Sequence, residues 1–541
     1  MARAMIKRIF CSLFIMLMIL ALAQCGKRGT LTGGEKDITP PKLLRAEPEN
    51  MTVNFKEKKI RLYFDEYIKL KDVQKQLIVS PPLKYNPLIT PQGSASKFID
   101  ITIKDTLKEN TTYTLNFGQS ITDNNEGNPN SFLSYVFSTG SYIDSLSVSG
   151  AVRDAFNKKV DQFVSVMLYE LDSTYTDSTI YKRPPNYITN TLDSATTFKL
   201  SYLKEGKYAL FALKDEGKNN LLDQKVDKIA FVTDTITLPT DTTYLLTLFK
   251  EIPDYRAAVP SYAAQNKIMF GYQGEAKHMV IEPLTKLPDS IKTKVLKETG
   301  KDTLNYWFIP FETDSIVFEV TNEKWKVKDT FTVKSRKLAS DSLVLTPNQK
   351  GNLAFEEPFY VGANIPIIQI DSSKIALMNK DSIPVKFISK LDSVENRVTL
   401  DFDLEPNEKY TMDILPGAIV DFFGNANDTI AYRLSTNGYA DYGNLGLKLV
   451  GNPTYPLIVQ LTDESGKTKR EIYATEPKDF QFNNLKPSKY MIRVIYDTNS
   501  NGKWDTGSYL QKIGPEKVIY YPSIIEVRAN WELVESFNLL D

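Results

Sequence analysis

Hydrophobic and polar side chains alternate with a period of two along most of the chain. This alternation is typical of β-strands with one buried and one solvated face, and turns rich in Asn, Gly, Pro and Asp separate the runs. Clear examples lie at residues 60–64, 99–103, 113–117 and 135–137. Beyond the N-terminus, helical periodicity supports only two short helices, over Asp65–Leu77 and Pro283–Leu296. We therefore predict an all-β protein of tandem β-sandwich domains.

The N-terminus departs from this pattern. Arg3, Lys7 and Arg8 precede an apolar run, Ile9–Ala23, that is interrupted only by Ser12. The run is shorter than the roughly 20 apolar residues that span a bilayer, and it has the charged start of a secretory signal. We therefore predict a signal peptide over residues 1–24.

Two cleavage sites compete at the end of this signal. Leu22-Ala23-Gln24-Cys25 resembles the lipobox of bacterial lipoproteins, although Gln24 stands where that family has a small residue. The resemblance implies that the Cys25 thiol carries a diacylglycerol and that Cys25 becomes the first residue. A cut after Ala23 by the ordinary signal peptidase is the alternative, and it gives a soluble secreted protein. The basic start and the missing helix cap disfavour a buried N-terminal helix.

Residues 25–39 predict a flexible tether, because they are rich in glycine, mixed in charge and free of large aromatic side chains. Acylation of Cys25 would anchor the chain to the outer membrane, with about 0.8 kcal/mol from each buried methylene. Surface-exported lipoproteins of this kind often carry acidic residues after the cysteine. Lys27 and Arg28 are basic, which favours the periplasmic side over the cell surface.

Residue counts remove several classes of function. The chain has 66 basic and 66 acidic residues, and removal of the three basic residues in the signal leaves a net charge of about −3. This balance offers no electrostatic footprint for nucleic acid. Cys11 leaves with the signal, so Cys25 is the only remaining thiol and no intramolecular disulfide forms. His278 is the only histidine, which excludes a histidine-rich zinc site, and we expect it to have a solvated or hydrogen-bonded structural role at the start of a strand.

Two patterns occur twice in the chain. Residues 198–223 and 480–505 align without a gap, and residues 113–139 and 410–436 share a Tyr-Thr pair followed by Asp, Gly-Asn and Ser-Thr. A two-domain block is therefore predicted to recur, with a β-rich segment between the copies that has no repeat partner. The predicted domains are 40–140, 141–252, 253–344, 345–437 and 438–541.

Four motifs characterise the first of these domains: Pro40-Pro41, IRLYFDEYI at 60–68, LKENTTYTLNFGQSITDNNEGN at 107–128 and YVFSTG at 135–140. Together they resemble the bacterial Ig-like domain of S-layer-protein type, which is common in lipoproteins of Bacteroidota. The resemblance implies a small β-sandwich that acts as a spacer or adhesion module and has no assigned catalytic residues. It covers about 100 residues well, and 345–437 matches it as a second, divergent copy.

The other repeated pair carries the turns LKEGKY at 203–208 and LKPSKY at 485–490. A turn of the form L-x-x-G/S-K-Y introduces a core strand in prealbumin-like and carboxypeptidase-regulatory-like β-sandwiches. Domains 141–252 and 438–541 are similar to these, and the resemblance implies a fold rather than a function.

One acidic loop is a candidate metal site. Oxygen atoms fall at positions 1, 3, 5, 7 and 9, with Gly502 at position 6, in the order Asp497, Asn499, Asn501, the Lys503 carbonyl and Asp505. An EF-hand-type loop binds Ca²⁺ with this spacing, but Ser508 stands where a bidentate Glu is expected. The copy that begins at Asp215 is poorer. The alternative is an Asx-rich turn without metal, and a Ca²⁺ ion here would be structural.

No catalytic signature emerges, and three functions compete. The first is a non-enzymatic, lipid-anchored envelope protein that acts as a spacer or binds an unknown envelope protein or glycan. The second is a polysaccharide-capture accessory lipoprotein, which requires tryptophan and tyrosine side chains clustered on one face. The third is a hydrolase, which requires two convergent carboxylates, one with a raised pKa. The repeats and the lack of a recognisable catalytic motif in the sequence favour the first function.

Overall fold

The computed structural model describes residues 37–131, 133–191 and 196–539. The chain divides into two compact units, Met1–Asp144 and Ser145–Asp541. Regular structure in the described ranges is almost entirely β-strand, arranged in paired sheets around hydrophobic cores. The prediction of an all-β fold of tandem β-sandwiches is therefore confirmed.

The first unit is a sandwich of two sheets. Its strands are β1 (Leu43–Glu47), β2 (Lys59–Leu70), β3 (Ile78–Ser80), β4 (Leu88–Thr90), β5 (Ser96–Thr102), β6 (Thr112–Asn116), β7 (Ile121–Asp123) and β8 (Ser134–Ser138). One sheet has the order β1-β2-β5-β4 with β7 on β2, and the other has the order β3-β6-β8. The apolar side chains that alternate along these strands meet between the sheets, where the Tyr113 and Phe137 rings stack at 5.4 Å. Each such ring contributes roughly 1.5–3 kcal/mol by burial.

The second unit begins with the first repeat, which we define as residues 146–248. Its strands are β9 (Leu146–Asp154), β10 (Ser165–Glu170), β11 (Tyr187–Asn190), β12 (Thr197–Leu203), β13 (Gly206–Lys214), β14 (Lys228–Phe231), β15 (Ile236–Leu238) and β16 (Thr243–Leu248), with a 3₁₀ turn at Thr179–Tyr181. One sheet has the order β11-β10-β13-β14 with β15 on β13, and the other is β12-β9-β16, in which β16 runs parallel to β9.

Two further regions follow. The middle region (residues 255–334) contains β17 (Arg256–Ala257), β18 (Ser261–Ala264), β19 (Lys267–Gln273), β20 (Met279–Pro283), β21 (Thr293–Lys297), β22 (Thr303–Phe308), β23 (Ser315–Asn322) and β24 (Val327–Lys334). The divergent region (residues 345–436) contains β25 (Leu345–Pro347), β26 (Asn352–Leu353), β27 (Phe359–Ala363), β28 (Ile367–Ile370), β29 (Ile375–Met378), β30 (Ile388–Asp392), β31 (Arg397–Asp401), β32 (Lys409–Ile414), β33 (Ile419–Asp421) and β34 (Ile430–Thr436), with a 3₁₀ turn at Ser372–Lys374. Each region has its own hydrophobic core.

The second repeat (residues 443–539) reproduces the topology of the first. After a 3₁₀ turn at Tyr439–Asp441 its strands are β35 (Gly443–Val450), β36 (Leu457–Thr462), β37 (Thr468–Ala474), β38 (Phe480–Leu485), β39 (Ser488–Tyr496), β40 (Val518–Tyr520), β41 (Ile525–Val527) and β42 (Glu532–Asn538). The sheet order is β37-β36-β39-β40 with β41 on β39, and β38-β35-β42 with β42 parallel to β35. The predicted internal repeat therefore has a structural counterpart.

Equivalent tyrosines make equivalent hydrogen bonds in the two repeats. The Tyr208 hydroxyl donates to the Lys204 carbonyl at 3.1 Å, and the Tyr490 hydroxyl donates to the Lys486 carbonyl at 2.8 Å. Both tyrosines are buried in their own cores. The L-x-x-G/S-K-Y motif thus ties a turn to the strand that follows it, and this local function explains why the motif occurs twice.

The two predicted helices were wrong over most of their length. Residues 65–70 complete strand β2, where Ile68–Leu70 pair with Ile121–Asp123, and only the four-residue helix α1 (Val73–Gln76) follows. Residues 293–297 form β21, which pairs with β22. Cross-strand pairing outweighs the weak helical pattern in both places. Across the described ranges, no helix reaches the length and hydrophobicity needed to cross a membrane.

Candidate functional site

The predicted site residues fall into two groups. Cys25, the predicted lipidation residue, lies outside the described residues. The five predicted Ca²⁺ residues lie together in the segment that joins β39 to β40, which we call the docking loop (residues 497–517). The structure therefore brings the second group into one place, with Asp497, Asn499, Asn501, Lys503 and Asp505 in a single turn.

Asp497 closes this turn. The residue is 1% exposed, and its Oδ1 accepts a hydrogen bond from Asn501 N at 3.0 Å, while its Oδ2 accepts one from Gly502 N at 2.8 Å. Gly502 has a φ of 75°, a left-handed conformation that glycine adopts without steric strain. The carboxylate therefore satisfies two backbone donors that the tight turn would otherwise leave unpaired.

The Asp505 carboxylate contacts three polar side chains of the turn. Its Oδ2 accepts hydrogen bonds from the amide nitrogens of Asn499 and Asn501, both at 2.5 Å, and its Oδ1 lies 3.6 Å from Lys503 Nζ. The Oδ1 atoms of Asn499 and Asn501 accept from Asn501 N at 3.1 Å and from Lys503 N at 3.0 Å. The side-chain oxygens of the predicted site thus already accept hydrogen bonds, or pair with Lys503, within the loop.

Glu516 is a member of this cluster that the sequence pattern did not identify. It is 8% exposed, and its carboxylate accepts from Thr498 N at 2.7 Å and from Asp505 N at 3.0 Å. Its carbonyl accepts from Trp504 Nε1 at 3.0 Å. Ser508 instead pairs with Ile513 through backbone hydrogen bonds. The acidic residue that braces the loop is thus outside the EF-hand spacing, and no spacing rule would have found it.

The cluster does not by itself assign a metal. Among the described residues, no group of three or more His, Cys, Asp or Glu side chains is placed to hold a metal ion. The docking loop offers the carboxylates of Asp497 and Asp505, and Ca²⁺ takes roughly six to eight oxygen ligands. Amide and backbone oxygens would have to supply the rest. Ca²⁺ binding therefore stays a prediction.

A melting experiment tests this prediction. If the docking loop binds Ca²⁺, millimolar Ca²⁺ raises the Tm of the wild-type protein and equal Mg²⁺ does not, because Mg²⁺ gives up its water reluctantly. Asp505→Asn removes one ligand charge at constant shape and is expected to abolish the rise. Asp463→Asn, in another turn of the same repeat, is the matched control and is expected to keep it. An unchanged Tm in Ca²⁺ contradicts the prediction.

The tip of the docking loop packs against the first repeat. Tyr509 is 1% exposed, and its ring lies 5.3 Å from Phe211 and 5.4 Å from Phe231 in edge-on contacts. It also lies 6.5 Å from Tyr181. Burial raises the pKa of the Tyr509 phenol, so the group stays neutral and acts as a hydrogen-bond donor. An aromatic anchor of this kind, buried in a pocket of the partner, is typical of an interface hot spot.

Polar contacts surround this anchor. Tyr509 N donates to Glu251 Oε1 at 2.6 Å, and the Tyr509 hydroxyl donates to the Asp177 carbonyl at 3.1 Å. Thr506 Oγ1 donates to the Lys250 carbonyl at 2.7 Å, and Lys512 Nζ lies 2.8 Å from Asp177 Oδ1. These contacts join segments separated by more than 250 residues in the chain, so the docking loop fixes the second repeat to the first.

A second group of contacts lies at Phe156 of the first repeat. The Phe156 ring lies 4.7 Å from Trp504, and the Arg493 guanidinium stacks 4.0 Å above it. The Phe156 carbonyl accepts a hydrogen bond from the Tyr520 hydroxyl at 2.7 Å. Lys158 Nζ donates to the Tyr521 carbonyl at 3.1 Å. The two repeats are thus held at two places, both of which use residues around the docking loop.

Residues 37–139 match the family model of a bacterial Ig-like domain. These residues form an Ig-like domain. The match confirms the bacterial Ig-like domain that the motifs of residues 40–140 predict, and it agrees with the two-sheet sandwich of the first unit. The Ig-like domain covers less than a fifth of the chain, so it establishes the family of this segment and not of the whole protein. No curated protein matches the chain.

Solved structures with which the chain can be aligned are distant. Domains 1–6 of the surface layer protein SbsC align over 90% of this chain and 67% of that chain, at 12% identity and a TM-score of 0.14. BcpA, the major pilin subunit of Bacillus cereus, aligns over 73% of this chain and 99% of its own, at 10% identity and a TM-score of 0.14. The Bacteroides ovatus protein SGBP-B, solved with a mixed-linkage heptasaccharide, aligns over 71% and 92%, at 10% identity and a TM-score of 0.16. Such low scores carry no functional argument.

Proposed function

We propose that this chain is a non-enzymatic protein of the bacterial cell envelope, anchored to the outer membrane by a lipid on Cys25. Its β-sandwich domains would serve as a structural module that presents a binding surface. The bacterial Ig-like domain at residues 37–139, which begins within the predicted tether, is the observation that carries this proposal. The interlocked repeats support it, because they hold surface residues from distant segments in a fixed arrangement.

The acidic residues favour this proposal over a hydrolase. Burial raises the pKa of Asp227 and of Glu66, but these residues belong to different units. Asp227 accepts hydrogen bonds from Glu216 N at 2.9 Å and from Asp223 N at 2.8 Å, so its carboxylate holds a turn. A glycoside hydrolase acid faces a second acid across a cleft, whereas the Asp227 carboxylate is engaged by two backbone donors of its own turn.

The tryptophans also favour it over polysaccharide capture. Trp307 is fully buried, and Trp504 packs against Phe156 at the contact between the repeats. Trp325 of the middle region is 38% exposed and Trp531 of the second repeat is 46% exposed. A sugar-binding platform needs such rings side by side, and Trp325 and Trp531 come from different parts of the chain. His278 is exposed and lies directly before the first residue of β20.

Mass spectrometry of the protein from purified membranes tests the anchor. The expected N-terminal peptide begins at Cys25 and carries the mass of its acyl groups, because a lipobox cut precedes the cysteine. Cys25→Ala is expected to lose the modification and leave the membrane fraction, since each lost methylene removes about 0.8 kcal/mol of membrane affinity. Cys11→Ala, within the signal, is the matched control and keeps both. A mature protein that begins with unmodified Gln24 contradicts the lipid anchor.

Protease treatment of cells tests the side of the membrane. The basic residues after Cys25 lead us to propose the periplasmic face, so protease added to intact cells is expected to spare the protein. Permeabilised cells are expected to lose it. Digestion in intact cells would place the protein on the surface and leave the anchor itself unaffected.

A further inference from the structure

A cavity of about 690 Å³ lies where the first repeat, the middle region and the second repeat meet. Five lysines from these three parts of the chain line it, and we call it the lysine cleft. Lys225 and Lys250 come from the first repeat and its exit, Lys277 and Lys297 from the middle region, and Lys503 from the docking loop. Like charges brought together in this way repel each other, so their convergence needs a compensating partner.

Four carboxylates line the same cleft, but within the described residues one of its five lysines forms an ion pair. Lys503 Nζ lies 3.6 Å from Asp505, but among the described residues none of Lys225, Lys250, Lys277 and Lys297 forms an ion pair. All four side chains are exposed. Their ammonium groups are therefore free to bind an anion that enters the lysine cleft.

Most acids that line the cleft are already engaged. Glu251 is 5% exposed and accepts from Tyr509 N at 2.6 Å, and Asp505 accepts the two amides described above. Glu275 pairs with Lys324, which lies outside the cleft, at 2.9 Å. Asp302 is the one lining acid that is exposed and has no ion pair among the described residues. Hydrogen bonds from neutral donors leave the charges of these acids in place, so the five lysines exceed the four carboxylates by one charge, and by two when Lys324 is counted.

The pKa of Glu275 responds to lysines from two separate segments of the chain. Its pKa is lowered first by the hydrogen bond from Lys324 and further by the charges of Lys503 and Lys277. Lys503 belongs to the docking loop and Lys277 to the middle region. The fold therefore brings the positive charges of Lys277 and Lys503 close to the same carboxylate.

We propose that the lysine cleft binds an anion that carries several phosphate groups. Five ammonium groups from three parts of the chain favour an anion with several charged groups, and lysine binds phosphate as a point charge, without the planar bidentate geometry of arginine. Its volume lies within the range of small-molecule sites, roughly 300–1,000 Å³. The proposal rests on the binding role proposed above and names a ligand class for it. A soluble oligophosphate or a phosphorylated lipid headgroup would supply the same chemistry.

Calorimetric titration of the full chain with inorganic tripolyphosphate tests the proposal. Saturable binding that weakens with added salt is expected for the wild-type protein. The double variant Lys277→Ala/Lys297→Ala removes two charge-assisted contacts and is expected to bind at least about tenfold more weakly. Lys286→Ala/Lys294→Ala is the matched control, because it removes two exposed lysines of the same segment that do not line the cleft. Its affinity is expected to equal that of the wild type.

Vesicles of phosphatidylcholine with and without phosphatidylglycerol distinguish the sources. Binding of tripolyphosphate indicates a soluble ligand, and binding only to the anionic vesicles indicates a headgroup. Either result supports the proposal if the Lys277→Ala/Lys297→Ala variant loses this binding and the Lys286→Ala/Lys294→Ala variant keeps it. Equal loss in both variants, equal affinity for citrate, or no binding to any probe overturns it. The acylation test above is independent, so an envelope protein without a phosphate site remains a distinguishable outcome.

Discussion

Tyr509→Ala is expected to release the docking loop from the first repeat. The substitution removes a ring that is 1% exposed and that packs between Phe211 and Phe231. Truncation of a buried aromatic side chain costs about 3–5 kcal/mol, because the cavity closes only in part. The hydroxyl bond to the Asp177 carbonyl is lost with the ring. Since the cores of the two repeats are separate, the loss falls on the contact between the repeats and leaves each sandwich folded.

Hydrogen exchange measures this release. Peptides that cover residues 175–183, 246–252 and 506–513 are expected to exchange faster in Tyr509→Ala, while β36 and β39 keep their protection. Tyr509→Phe keeps the packing and is expected to show a much smaller change. Leu510→Ala is the matched control, because Leu510 is 53% exposed in the same loop. Wild-type exchange in Tyr509→Ala would show that the Phe156 contacts alone hold the repeats together.

Asp123→Ala is expected to destabilise the Ig-like domain by about 3 kcal/mol, because a buried charged acceptor holds several donors. Asp123 is 2% exposed, and its carboxylate accepts from the backbone N–H groups of Asn125, Glu126, Gly127 and Asn128 at 2.6–3.1 Å. Without the carboxylate, water must replace all four bonds at a turn that the domain uses to place β7.

The same residue predicts an acid dependence. Burial acts to raise the pKa of Asp123, but the four backbone donors outweigh it, and the pKa lies below its ordinary value of 3.8. A folded-state pKa below the unfolded one stabilises the fold at pH values above the unfolded pKa. This contribution is lost as the pH falls through the folded pKa. Asp123→Asn carries no charge at any pH and is expected to remove this part of the acid dependence.

Hydrogen exchange in peptides from residues 112–138 measures both effects. Tryptophan fluorescence is not suitable, because all four tryptophans lie in the second unit and do not report on the Ig-like domain. Glu126→Ala is the matched control. It removes a carboxylate from the same turn, while the Glu126 N–H bond to Asp123 is kept. Equal destabilisation by Asp123→Ala and Glu126→Ala would contradict the role of the buried carboxylate.

Part of the candidate site was predictable because it is local. The spacing of Asp497, Asn501, Gly502 and Asp505 indicated a polar turn, and these residues do bond to each other within nine positions. Glu516 was missed because it belongs to the far end of the docking loop. Whether the turn holds Ca²⁺ depends on where amide and carbonyl oxygens point, which the spacing of residue types does not determine.

The sequence by itself determined the strand character of the chain, its repeats and its Ig-like domain. Side-chain alternation, turn residues and motifs such as L-x-x-G/S-K-Y act within a few residues of each other, so they are readable along the chain. Only the tertiary structure decided that the second repeat docks on the first and that lysines of three segments meet in one cleft. Tyr509 bonds to Glu251 and Asp177, which lie 258 and 332 positions away. The physical reason is that such packing depends on surface shape and on loop closure over long chain distances, which leave no periodic signal in the order of residues.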